Sequence, residues 1–252
     1  MRHSDEYGYS EIDIPFLTNM NDKKSINKEK VIDDILQVLD TFCKPVHIQI
    51  SKLELHELSE VILEDLKARV EQDPIALNDQ FIYSLSKSFK VIFYYRIANF
   101  LFYLEEQDEN LLHKFCAFKI SEYAAVTCAI EIHPEAKIGK RFVIDHGINT
   151  LIGATSIIGD DCTLLQNVVL GARKITFNKK GKRHPTIGNN VYISGGVRLL
   201  GPIHIGDHVM IYPDCIVTDD IPDYSKIKLQ KKHLVITKNQ KVMDNKNHKK
   251  TI

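Results

Sequence analysis

Along the second half of the chain an aliphatic residue returns every six positions. It falls at Ile132, Ile138 and Ile144, then at Ile152, Ile158, Leu164 and Leu170. It resumes at Ile187, Ile193, Leu199, Ile205, Ile211 and Val217. Glycine follows it at Gly139, Gly153, Gly159, Gly171, Gly188 and Gly206. Amphipathic helices repeat at about 3.6 residues and strands at about 2, so neither accounts for this period. A repeat this short is one turn of a coil. A single turn cannot bury its own apolar face, so the turns stack and share one core. The pattern predicts a left-handed parallel β-helix, triangular in section, with three hexapeptides per coil. The aliphatic residue points into the prism. The residue two before it shares the interior and is often small: Ala136, Thr150, Ser156, Cys162, Val168, Val191, Val197. Gly, Asn and Asp are expected at the corners for the unusual backbone there.

Two interruptions break the beat. One is a two-residue slip after Ile144, around Asp145-His146-Gly147. The other is an excursion from Ala172 to Thr186 that carries Lys174, Lys179, Lys180, Lys182, Arg183 and His184. A rigid solenoid that leaves register pushes residues outward, and loops on a scaffold are where function tends to sit.

The first half follows a different rule. Lys28 to Phe42 places Val31, Ile32, Ile35, Leu36 and Leu39 at helical spacing, and Leu53 to Glu71 does so with Leu55, Leu58, Val61, Ile62 and Leu66. Asp73-Pro74 ends that helix, because proline disfavours helix for the residue before it. Phe81 to Leu104 reads as one long helix, apolar almost all round and therefore buried, and Leu111 to Ala125 as a shorter one leading into the coil. The fold class is then α+β, with an all-α N-terminal domain feeding the β-helix. The expected divisions are a polar segment 1–27, a helical domain 28–125, the β-helix 126–222 and a Lys/Asn-rich tail 223–252.

Composition narrows the function classes. The chain has 252 residues, 26% of them charged, and a formal net charge of zero, so no global field argues for nucleic acid or membrane. The five cysteines show neither CxxC spacing nor a disulfide framework, and fit small buried residues of a reducing compartment. The first residues lack the basic start and apolar core of a signal peptide. No stretch approaches the length of a membrane span. A cytoplasmic protein is expected.

Candidate chemistry gathers at the interruptions. Glu131-Ile132-His133-Pro134 precedes Asp145-His146-Gly147 by somewhat less than one coil, which is expected to bring positions 131 and 146 together. A carboxylate beside an imidazole makes a general base able to deprotonate a hydroxyl near neutral pH. Arg183 and His184 offer a guanidinium fork and a second imidazole, both suited to a small carboxylate.

The segments IEIHPEAKIG (from Ile130), FVIDHG (142–147), IGATSIIGDDCTLLQNVVLG (152–171), GKRHPTIG (181–188) and LLGPIHIGD (199–207) resemble the serine O-acetyltransferase family, as do QDP (72–74) and YYRIANFL (94–101) upstream. The resemblance covers about three-fifths of the chain. It implies that His146 takes the proton from the serine hydroxyl for attack on acetyl-CoA, with Glu131 orienting it. It implies that Asp73 and Asp145 hold the substrate ammonium and that Arg183 and His184 hold its carboxylate. The pantetheine groove would run past Gly171, Ala172, Ser194, Gly195 and Tyr212. A homotrimer, or a dimer of trimers, is implied, with no metal. A C-terminal Ile252 is implied to enter cysteine synthase. The chain departs from the family where Ala172-Arg173-Lys174, Ser194-Gly195-Gly196 and Tyr212-Pro213-Asp214 replace small residues of the groove. Those departures keep open a different acyl donor or amino-acid acceptor, or a regulatory paralogue without activity. A γ-class carbonic anhydrase would need three zinc-ligating histidines. The spacing of His133, His146, His184, His204 and His208 does not fit that set.

Overall fold

The structure is a computed structural model and describes residues 25–44, 48, 50–74, 78–104, 111–174 and 181–230. Five helices come first: α1 (Lys28–Cys43), α2 (Lys52–Gln72), α3 (Asp79–Leu85), α4 (Lys87–Tyr103) and α5 (Leu112–Cys128). Their starts follow from side-chain caps. Asn27, Asn78 and Ser86 accept from backbone amides of the first turns of α1, α3 and α4, and Ser51 with Glu54 forms a capping box on α2. Ser86 also divides the single helix expected over 81–104. Its amide ends α3 on Ile82 while its hydroxyl opens α4, and the apolar run across the break hides this in the sequence. Helix α5 continues to Cys128, three residues beyond the expected seam, and ends on Ala129 in the left-handed conformation.

Fourteen short strands, numbered in chain order, form three parallel sheets. The first contains β1 (Glu131–Ile132), β4 (Leu151–Ile152), β7 (Val169–Gly171), β10 (Arg198–Leu200) and β13 (Ile216–Val217). The second contains β2 (Lys137–Ile138), β5 (Ile157–Ile158), β8 (Thr186–Ile187) and β11 (His204–Ile205). The third contains β3 (Val143–Ile144), β6 (Thr163–Leu164), β9 (Tyr192–Ile193), β12 (Met210–Ile211) and β14 (Lys226–Ile227). The chain visits the sheets in turn, so each strand pairs with the strand three later, until the end of the solenoid, where β12 pairs with β14. Register places Glu131 beside Leu151, Leu151 beside Val169, Val169 beside Arg198 and Arg198 beside Ile216. Both eighteen-residue steps are regular coils. The first step is two residues longer and the third holds the excursion. Strand β14 lies past Pro222, so the coil reaches into the segment expected as tail.

Every aliphatic position of the beat is buried, as are the small residues two before it. Gly139, Gly159, Gly188 and Gly206 are needed for a different reason from the one expected. None has positive φ. A Cβ at Gly159 would lie 2.5 Å from Asn189 Oδ1 and 2.7 Å from the Gly188 backbone, and the other three meet the coil below in the same way. Side-chain oxygens of Asp160, Asn189, Asp207 and Asp223 fill that column, each accepting an amide from the preceding coil. Left-handed corners fall on Gly147, Asn149, Asp161, Asn167, Asn190, Gly196 and Asp214, the residue types expected there, and also on Arg141, His146 and His208.

Helix α4 closes the open end of the solenoid. Tyr95 donates its hydroxyl to the Ala136 carbonyl, Asn99 donates to Pro134 and Ala136, and Arg96 donates to Ile138 and Gly139. These bonds satisfy carbonyls that a further coil would otherwise engage. Asp65 of α2, fully buried, receives Arg96 and the Phe142 amide, so one charge pair ties two helices to the first coil. Burial pushes the Asp65 carboxyl up, and the guanidinium and amide oppose that push. Three donors on the carboxylate are the geometry of the ionised pair.

Candidate active site

The two-residue slip makes a corner between the third and first sheets. After β3 the chain turns through Asp145, His146 and Gly147 before entering β4. His146 has φ 57° and Gly147 φ 79°, so the turn is left-handed at both residues and throws the imidazole outward. The His146 side chain is 73% exposed, and its Nε2 lies 3.8 Å from Asp145 Oδ2. A Cβ at Gly147 would strike Ile144 and Ile130, so the turn could not pack this closely with another residue.

Helix α2 delivers a second group of residues to this corner. Its C-terminal turn is fastened to the solenoid by Arg141, which pairs with Glu71 at 2.8 Å and Asp161 at 2.7 Å, and by Thr163, which donates to Gln72. Asp73 caps the helix. Arg69, one turn earlier, reaches Asp73 at 2.9 Å and Asp145 at 3.0 Å. These residues and the start of α4 enclose a cavity of about 450 Å³ lined by Arg69, Gln72, Asp73, Ser86, Lys87, Asp145 and His146 among others. A larger cleft of about 620 Å³ lies between α2 and α4 at Glu54, Glu57 and Asn99. Its lining holds no imidazole, so the chemistry favours the smaller cavity. Arg69 and Lys87 were not among the residues expected from the sequence. The four-residue spacing of Arg69 and Asp73 was the available signal.

Within one chain, among the described residues, Glu131 and His146, expected as a pair, form no hydrogen bond or ion pair with each other. The first coil is twenty residues long, so the partner of Glu131 is Leu151, and His146 sits at the corner before it. Glu131 points outward from β1, and the carboxylate that faces His146 is that of Asp145.

Arg183 and His184 lie at a different corner, between the first and second sheets. Thr155 organises them: its hydroxyl accepts the amides of both residues, at 2.9 and 3.1 Å, and its amide donates to His184 Nδ1 at 3.1 Å. Accepting at Nδ1 leaves the proton of the neutral ring on Nε2. The ring packs against Gly153, where a Cβ would lie 2.2 Å from it. Burial first, then the neighbouring Arg183 and Lys182, hold His184 below the ordinary histidine value. The whole width of the first sheet separates this pair from His146.

The expected groove residues divide the same way. Ser194, Gly195 and Tyr212 stand on the corner column that begins with Asp145 and His146. Gly171 and Ala172 stand on the column of His184. A Cβ at Gly195 would lie 3.0 Å from the Gln166 side chain and one at Gly171 3.1 Å from Leu200, so both positions are tight for a larger residue. Tyr212 is 40% exposed and adds an aromatic ring to its column. Among the described residues no group of three or more His, Cys, Asp or Glu could hold a metal ion, and no helix is long and apolar enough to cross a membrane. Ile252 lies outside the described residues.

Residues 184–219 match the family described as bacterial transferase hexapeptide (six repeats). Curated serine acetyltransferases from Staphylococcus aureus are 38% identical over 164 residues, 65% of this chain and 72% of theirs. That of Helicobacter pylori is 38% identical over 161 residues, 62% of this chain and 86% of its own. Among solved structures, serine acetyltransferase isoform 3 of Entamoeba histolytica in complex with cysteine aligns with a TM-score of 0.65 and 27% identity. That alignment covers 86% of this chain and 77% of the other. The solenoid is thus the left-handed parallel β-helix that its period predicts. Identity at this level over more than two thirds of the relatives' own length establishes kinship: the chain belongs to the serine acetyltransferase family.

Proposed function

We propose that this protein transfers the acetyl group of acetyl-CoA to the hydroxyl of L-serine. The observation that carries the reading is the 38% identity to curated serine acetyltransferases. The corner at Asp145 and His146 supplies the chemistry. His146 takes the hydroxyl proton as the serine oxygen attacks the thioester carbonyl. The carbon–sulfur bond then breaks, and the imidazolium returns the proton to the departing CoA thiolate. No covalent enzyme intermediate is needed, and proximity supplies much of the barrier reduction. Asp73 and Asp145 hold the ammonium, and Arg183 and His184 hold the carboxylate. Glu131 does not meet His146 within one chain, so its proposed orienting role acts on the imidazole of the neighbouring chain in the trimer. Gly171, Ala172, Ser194, Gly195 and Tyr212 line the donor's path.

The separation of these groups on two corner columns supports a trimer. One chain presents His146 and the two aspartates, and the next presents Arg183 and His184 across the gap. All five cysteines are buried and unpaired, which fits the reducing cytoplasm.

The test is thiol release from acetyl-CoA with L-serine, for wild type and His146→Ala. Turnover that His146→Ala abolishes supports the proposal. Absence of turnover in the wild type, with serine still bound, rejects it in favour of another donor or a regulatory role.

A further inference from the structure

Arg69 is the link between the two carboxylates of the acceptor pocket. Its guanidinium nitrogen Nη2 lies 2.9 Å from Asp73 Oδ2 and 3.0 Å from Asp145 Oδ1, so one nitrogen joins the end of α2 to the corner after β3. The side chain is only 9% exposed. The second oxygen of Asp145 faces His146. Arg69 Nε is buried without a hydrogen-bond partner, in a residue that lines the cavity.

Charge explains the arrangement. Asp73 and Asp145 meet at one site, and the guanidinium between them offsets their repulsion and fixes both carboxylates as acceptors. Lys87 borders the same cavity, so the two aspartates are balanced by Arg69 and Lys87, and it is the placing of the carboxylates that offers an ammonium its acceptors. Through Asp145 the same contact sets the orientation of the carboxylate against His146.

We propose that Arg69 is a positioning residue that sets the geometry of the acceptor site, holding Asp73 and Asp145 where both face the substrate ammonium. The inference rests on the proposed serine acetyltransferase activity and deepens it. Lys87 and the start of α4 border the same cavity and leave room for the amino acid between α2 and the corner.

Steady-state kinetics of Arg69→Met and Arg69→Lys, with L-serine and acetyl-CoA varied separately, test this. In Arg69→Met the KM for serine rises about tenfold, the scale of one lost charge-assisted hydrogen bond. The KM for acetyl-CoA stays within about twofold, since the donor's column lies farther down the solenoid. Arg69→Lys restores a charge without the planar fork and recovers part of the serine KM. A folded Arg69→Met protein with unchanged or lower serine KM overturns the proposal, as does a rise in both KM values together, which marks a merely structural residue. If Arg69→Met does not fold, Arg69→Lys carries the test, and its serine KM must rise while that for acetyl-CoA does not. Absence of turnover in the wild type overturns the underlying activity instead, so the two failures are distinguishable.

Discussion

Replacing Asp65 with alanine is expected to separate the helices from the solenoid energetically. Asp65 is fully buried and accepts from Arg96 Nε at 2.8 Å, Arg96 Nη2 at 3.2 Å and the Phe142 amide at 2.9 Å. Alanine leaves the guanidinium, itself 6% exposed, without its counter-charge, although the carbonyls of Ile138 and Gly139 still accept from it. Removing one partner of a buried ion pair costs about 3–5 kcal/mol. Urea unfolding at neutral pH measures the loss. With a slope of about 2–3 kcal/mol per molar, the midpoint falls by about 1–2 M. The double variant Asp65→Ala/Arg96→Met removes the stranded charge, so it is expected to lose less than the sum of the two single variants, by about 1–3 kcal/mol. A midpoint shift under about 0.3 M in Asp65→Ala, or strict additivity in the double variant, refutes the idea that this pair fastens α2 and α4 to the first coil.

Two further outcomes follow from groups whose environments are unusual. Ser156 Oγ is buried in the solenoid without a hydrogen-bond partner, so Ser156→Ala is expected to stabilise by about 1 kcal/mol, raising Tm by roughly 2–4 °C in a scanning experiment. A lowered Tm contradicts it. Burial holds His133 and His184 below the ordinary histidine value. Below that value the unfolded chain binds protons that the folded imidazoles refuse, so this contribution is complete at higher pH and declines as the pH drops through the ordinary value toward the folded one. The urea midpoint is therefore expected to fall between about pH 7.5 and 5.5, and to fall less steeply in His133→Gln. An equal slope in both proteins rejects that assignment.

The period of six, the interior residues and the places where register breaks were legible because solenoid stacking repeats one local rule. Each coil contacts only its neighbours, so a short sequence pattern carries the whole architecture. The resemblance carried in IDHG and GKRHP named His146, Asp145, Arg183 and His184 directly. The break at Ser86 was not legible, because a buried helix pair and one buried long helix share the same apolar run. The glycine column was read as backbone freedom, whereas the contact between successive coils decides it. Arg69 lies 76 residues from Asp145, and no pattern in either segment states that they meet. Their meeting depends on α2 being held against the third sheet by Arg141 and Gln72, and on Asp65 taking Arg96 and the Phe142 amide. Sequence therefore determined the coil and the residue types at its corners. Tertiary structure decided which charges face each other, because electrostatic contacts depend on distance in space and the folded chain sets that distance.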